Sequence, residues 1–374
     1  MTPPGSSSSS PAPARPPPLK RVAPDTTAGG RRKRRAVDTT PDPLAFWEEF
    51  GRIFGRQHNF FDACGTIMER GMELAYDVED AEDAGTHLEL SGPDRRILES
   101  WRALSAVLEK KAPDAVTDAQ LASKIADRID KGVSAAKTAD THSMKTQVPV
   151  LLAKLYGTLD PPIFPNEKKG RGYDHKVTAK LLCPVTMQFT EENRLSLFGR
   201  TVKVPGDVFP RFLYKNMDFF DQDKAVVEAF LNSTPWDGFL RHEILIMFFK
   251  LIFISPSSAD KDSEEHSTAT RKGNAALGNM TQVSVGSIAY TASFLRFALY
   301  EGERFTRTDV NADVAGFYSS LYSLLTDPTW EDEVQDLLKC WNRRVFPNAG
   351  RENVLSADST MNFFNKAAAA RTAA

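Results

Sequence analysis

The chain has 374 residues, of which 41% are hydrophobic and 26% charged, with 24 phenylalanines and a formal net charge of -2. That length accommodates two or three domains with a sizeable core, and the composition excludes a wholly disordered chain. The three cysteines, Cys64, Cys183 and Cys340, are far apart and odd in number, which excludes a disulfide framework or a paired-cysteine metal knuckle and fits a reducing compartment.

Charge is unevenly divided. Residues 1–43 hold eight basic groups against Asp25, Asp38 and Asp42, so this arm carries +5 and the remainder of the chain -7. An acidic body argues against a domain that coats nucleic acid over much of its surface, although a local basic groove stays open. The arm also holds ten of the 23 prolines and no aromatic residue, so it buries too little apolar surface to offset the entropy of ordering and is expected to be disordered. Within it, Lys20-Arg21 and Arg31-Arg32-Lys33-Arg34-Arg35 have the form of a two-part nuclear import signal for an import receptor. A loosely polyanion-binding tail is the plainer alternative. The most apolar stretch, Ile244 to Ile254, is eleven residues long and contains Lys250, too short for a membrane span. The N-terminus lacks the pattern of a secretory signal, and the expected location is intracellular, in the nucleus.

From Leu44 the apolar residues recur at three- and four-residue steps, from Phe46 through Phe54, Cys64 and Ile67 to Met72, predicting one helix or two, weakened at Gly51 and Gly55. An acidic loop is expected over Asp77 to Asp83. Ser91-Gly92-Pro93-Asp94 starts a helix that ends at Pro113. Thr117 and Gln120 have capping-box spacing ahead of a third helix, and a fourth covers Met144 to Tyr156 with Pro149 as its weak point. Residues 44–158 thus form an N-terminal helical unit. Residues 159–180, with three prolines and Lys168-Lys169-Gly170-Arg171-Gly172, read as a basic linker.

Residues 181–347 read as a C-terminal helical domain, with short strand candidates Val185 to Phe189 and Thr201 to Val204 that leave room for one small hairpin. Thr234-Pro235-Trp236-Asp237 has the chemistry of a helix start, and the helix from Trp236 to Ile254, apolar nearly all round, is expected to be central. Further helices are expected over Gln282 to Tyr300, Val310 to Leu325 and Pro328 to Arg344, with a loose tail over 348–374. The fold class is mainly α, an irregular multi-helix bundle.

Catalytic motifs are sparse. No glycine precedes a lysine, so there is no phosphate-binding Walker loop, and the six histidines show no ligand spacing. No catalytic residue, metal or cofactor is assigned. Arg271, Lys272 and Asn274 lie between two apolar helices beside Gly273 and Gly278, where they would hold a phosphate or carboxylate; a solvated surface connection is the simpler reading. Arg304, Arg307 and Asp309 are a second cluster, better read as a helix N-terminus. Lys168, Lys169 and Arg171, with Tyr173, His175 and Lys176, have the mix of a single-strand nucleic-acid contact, though with one aromatic. Asn342-Arg343-Arg344 read as cations at a helix C-terminus.

Several motifs occur in a characteristic order: Phe209-Pro210-Arg211-Phe212-Leu213-Tyr214, Pro235-Trp236-Asp237-Gly238-Phe239-Leu240, Gly273-Asn274-Ala275, Gly278-Asn279-Met280-Thr281, Arg296-Phe297-Ala298-Leu299 and Trp341-Asn342-Arg343-Arg344-Val345-Phe346-Pro347. Over about residues 175–347 the chain resembles a domain family of unknown function that is expanded in mushroom-forming fungi. Cys340 stands where that family usually has the first of two tandem tryptophans, a departure that bears on packing. The resemblance implies no activity. The expected function is a non-enzymatic nuclear interaction protein with a protein or nucleic-acid partner. The alternatives are an enzyme acting on a phosphate-bearing substrate, with Asp309 as acid or base, and a mobile-element-derived nucleic-acid-binding protein.

Overall fold

The computed structural model describes residues 42–254, 273–303, 305 and 313–347. The import signal, Arg271 and Lys272, the cluster Arg304, Arg307 and Asp309, and the tail 348–374 lie outside the described residues. From Pro43 onward the described residues form one compact unit. Its architecture is mainly α, as expected, with twelve α-helices and short 3-10 turns among the described residues. None of the described helices is long and apolar enough to cross a membrane.

The N-terminal part consists of α1 (Ala45–Gln57), α2 (Cys64–Asp83), α3 (Gly92–Lys111) and α4 (Ala119–Tyr156). The expected acidic loop at Asp77 to Asp83 is helical instead, because α2 continues to Asp83. Ser91 caps α3 by accepting from the Asp94 amide at 3.2 Å, with proline in the first turn. Asp118, rather than Thr117, caps α4 through the amides of Gln120 and Leu121. The third and fourth expected helices are this single helix, with Pro149 inside it.

Gly51 and Gly55, read from sequence as weak helix positions, are sites of close approach. A Cβ at Gly51 would collide with the Ile129 carbonyl, and one at Gly132 with that of Glu48, so α1 and α4 cross nearly backbone to backbone. Beside this crossing, Arg56 and Asp140 form a buried bidentate ion pair at 2.7 and 2.9 Å, and the Tyr290 hydroxyl donates to Asp140 at 2.6 Å. Three helices meet at that carboxylate.

The remaining helices are α5 (Lys176–Leu182), α6 (Glu191–Phe198), α7 (Lys224–Ser233), α8 (Glu243–Phe253), the single turn α9 (Asn274–Leu277), α10 (Val285–Leu299), α11 (Val314–Leu325) and α12 (Glu331–Val345). No hairpin forms over 185–204. Among the described residues the pairing reduces to isolated bridges, Pro184 with Pro210 and Tyr214 with Phe239, since proline cannot donate to a ladder. The helix expected from Trp236 begins only at Glu243. Gly238 and Leu240 both take positive φ, at 73° and 54°, which breaks the helix, and His242 becomes its cap by accepting from the Ile244 amide at 3.1 Å.

The central helix is α10 rather than α8. Every residue from Gly286 to Leu299 is buried, and α10 packs on α1, α4, α8 and α11. Its buried serine and threonine hydroxyls are satisfied locally: Thr291 donates to the Ser287 carbonyl and Ser293 to that of Ala289. Ser284 and Ser287 close a capping box at its start.

Residues 159–180, expected as a linker, lie against the far end of α10. Lys168 donates to the carbonyls of Phe297 (2.6 Å) and Gly302 (2.5 Å), Arg171 to that of Ala298 (3.0 Å), and the Gly172 amide to that of Leu299 (2.9 Å). Carbonyls at a helix end have no partner within the helix, and this end of the dipole favours cations. The basic loop is therefore the C-terminal cap of the central helix.

Candidate interaction groove

A groove of about 570 Å³ opens where the ends of α1, α3, α10, α11 and α12 converge. Its walls are mostly apolar, from Ala103 on α3, Val285 and Gly286 on α10, Leu325 on α11, and Val334 and Leu338 on α12. Its size falls in the range of sites that bury a ligand or a short peptide segment.

Gln57 and His58 bring polar chemistry to this surface. Their backbones are fixed, because the Gln57 carbonyl accepts from Ser284 Oγ at 2.9 Å and the His58 carbonyl from the Tyr318 hydroxyl at 3.0 Å. Gly286 allows the close contact, since a Cβ there would strike the Gln57 carbonyl. Neither side chain makes a hydrogen bond among the described residues. Burial pushes the His58 imidazole down to about 4, so it is neutral at pH 7 and offers one donor and one acceptor. Its ring packs on Phe54 with centroids 5.5 Å apart.

The rim is charged. Arg95 is anchored, donating to the carbonyls of Thr326 (3.1 Å) and Leu90 (3.2 Å), while Glu99 and Arg102 form an exposed pair at 2.9 Å. Asp327 caps the following turn through the Thr329 amide, which holds its carboxyl below the usual range. A trough with apolar walls, the uncharged polar side chains of Gln57, His58, Ser284, Thr326 and Gln335, and a mixed-charge rim is suited to a partner's side chains.

The residues singled out from sequence sit elsewhere. Lys168 and Arg171 are buried at 1% and 0% exposure and face carbonyls, so they do not form a surface for nucleic acid. Burial and the neighbouring Arg171 push the Lys168 amine down to about 6, against the pull of Glu303, while its Nζ lies 3.3 Å from the Phe297 ring centroid. Lys169 is exposed. His175 is buried as the cap of α5, with Nδ1 accepting from Val177 and Nε2 lying 2.9 Å from the Pro161 carbonyl. Asn274 donates its amide to the Ile252 carbonyl at 2.5 Å, tying α9 to α8. Of the terminal trio, Asn342 accepts from the Val283 amide at 2.7 Å and Arg344 pairs with Glu243. Among the described residues no three of His, Cys, Asp and Glu are grouped to hold a metal ion.

Sequence reasoning missed Gln57 and His58 because nothing in their own neighbourhood marks them. The groove exists only where five helix ends, far apart in the chain, are brought together.

The fold and groove define an all-α protein with a grooved surface at helix ends. Residues 131–346 match the model of a family of unknown function, DUF6698, and the chain belongs to that family. The match begins inside α4, ahead of the 175–347 span of the sequence resemblance, and runs unbroken through residues 159–180. Gln57, His58 and the α3 wall of the groove lie outside it. No curated protein and no solved structure matches the chain.

Proposed function

We propose that the protein is a non-enzymatic interaction protein of the nucleus, carried there by its basic arm and binding a segment of a partner protein in the groove between α3 and α12. The observation that carries the reading is the pair Gln57 and His58, two uncharged polar side chains that make no hydrogen bond among the described residues, on a largely apolar groove. Such groups select a partner by hydrogen bonding while the walls supply the apolar contact. The inward orientation of Lys168 and Arg171 favours protein over nucleic acid as that partner.

The arm is tested by imaging the tagged full-length protein beside one lacking residues 1–43; an unchanged distribution would count against import through Lys20, Arg21 and Arg31 to Arg35. The partner class is tested by fluorescence anisotropy of random DNA and RNA against full-length protein and residues 44–374, at low and near-physiological salt. The reading expects no binding by residues 44–374. Salt-sensitive binding by that fragment would replace it with a nucleic-acid-binding function.

A further inference from the structure

A second groove, of about 580 Å³, lies between the turn that precedes α8 and the first turns of α12. One wall carries Trp236 and Asp237, the other Asp332, Glu333 and Asp336, and among the described residues the basic ones lining it are Lys215 and Arg241. Arg241 is occupied by Asp336 at 2.8 Å. Asp237, Asp332 and Glu333 are in no ion pair among the described residues.

Both walls are built before any partner arrives. The Lys215 amide donates to the Gly238 carbonyl at 2.8 Å, and the bridge between Tyr214 and Phe239 continues this pairing. Gly238 sits at φ +73° with Lys215 packed against it, a turn that strongly favours glycine. The Trp341 indole donates to the Leu240 carbonyl at 2.9 Å, which ties the turn to α12. The Trp236 indole is half-buried, held edge-on by Phe239 (5.4 Å) and beside Trp330 (5.8 Å).

The helix dipole accounts for Asp332 and Glu333 in the first turn of α12. It accounts neither for Asp237 on the opposite wall nor for the Trp236 indole that lines the groove next to it. Carboxylates on both walls of a groove that an indole also lines are the chemistry that takes a guanidinium or ammonium group: the carboxylates accept its hydrogen bonds, and the indole ring attracts a cation through its quadrupole. We propose that this groove binds an arginine- or lysine-rich segment of a partner protein. The site is separate from the groove of Gln57 and His58, so either reading stands without the other.

The test titrates full-length protein with a short fluorescent peptide of alternating arginine and glycine at low salt. The expected result is saturable binding accompanied by a change in indole emission that is absent in Trp236→Phe. The variant Asp237→Asn/Asp332→Asn/Glu333→Gln is expected to bind at least about tenfold more weakly, a loss of about 1.4 kcal/mol. The control Glu79→Gln/Asp80→Asn/Glu82→Gln removes equal charge from the exposed end of α2 and is expected to bind as the parent does. The side chains of the substituted carboxylates are in no hydrogen bond or ion pair among the described residues, and circular dichroism checks that each variant is folded. Absence of binding by the parent, or equal weakening in the α2 control, would overturn the proposal.

Discussion

Arg171 supplies the hydrogen bond that Pro149 takes away. Pro149 lies inside α4 and has no N–H, so the carbonyl of Lys145, four residues earlier, lacks its helical donor. The Arg171 guanidinium donates to that carbonyl at 2.7 Å, and also to Phe164 at 3.1 Å and Ala298 at 3.0 Å. One side chain thereby repairs the last third of α4, the longest of the described helices, and closes the end of the central one.

Arg171→Ala is expected to destabilise the protein by about 3–5 kcal/mol, because it leaves several buried carbonyls without donors. Pro149→Ala restores the amide that serves Lys145, so Arg171→Ala is expected to cost about 1 kcal/mol less in that background. Urea denaturation of the four proteins of the cycle measures the coupling, and strictly additive costs would show that Arg171 does not serve the Lys145 carbonyl. Lys169→Ala, on the exposed side of the same loop, is expected to change stability by less than about 0.5 kcal/mol.

Helix positions were largely legible in the sequence, because three- and four-residue apolar spacing and the cap at Ser91 are local signals, although the helix expected from Val310 is α11, which starts at Val314 with Asp313 as its cap. The placement of charge was not. Lys168 and Arg171 look like surface cations in one dimension, and only the carbonyls at the end of α10 explain why they are buried. Glycine was similarly ambiguous: Gly51 reads as weak helix, but its role is set by Ile129, far along the chain. The helix expected from Trp236 failed at Gly238 and Leu240, where positive φ overrides a favourable starting sequence. The groove around Gln57 and His58 has no local signature at all.

The glycine contacts make a prediction opposite to helix propensity. Alanine favours helix over glycine by roughly 1 kcal/mol, yet Gly51→Ala and Gly132→Ala are each expected to destabilise by about 2 kcal/mol or more, since α1 and α4 must separate to admit a methyl group. Gly65→Ala, in the first turn of α2 with nothing within 4 Å of its added Cβ, is expected to be neutral or mildly stabilising. Thermal unfolding of the three variants decides the matter. Equal behaviour at all three sites would contradict the close crossing.

The Arg56, Asp140 and Tyr290 cluster joins α1, α4 and α10 without access to water. Asp140→Ala strands the buried guanidinium and is expected to cost about 3–5 kcal/mol. Tyr290→Phe removes one hydrogen bond to a carboxylate that keeps Arg56, and is expected to cost about 1–3 kcal/mol. Chemical denaturation gives both values, and a larger loss in Tyr290→Phe than in Asp140→Ala would reverse the assigned order.

His242 makes stability depend on pH. Burial pushes its imidazole down to about 4, against the opposing pull of Glu243 and Asp218, from an ordinary value near 6.5. Between those values the unfolded chain holds a proton that the folded protein excludes, so stability falls as pH drops from about 6.5 towards 4, by on the order of 1–3 kcal/mol from this residue. His242→Asn retains a side-chain acceptor for the Ile244 amide but cannot titrate, so the variant is expected to lose less stability than the parent on acidification. His58 titrates in the same window and leaves a residual slope in the variant. Denaturant unfolding at pH 7 and pH 4.5 measures the difference between the two proteins, and a difference that does not change with pH would mean that the His242 imidazole is not held neutral by burial.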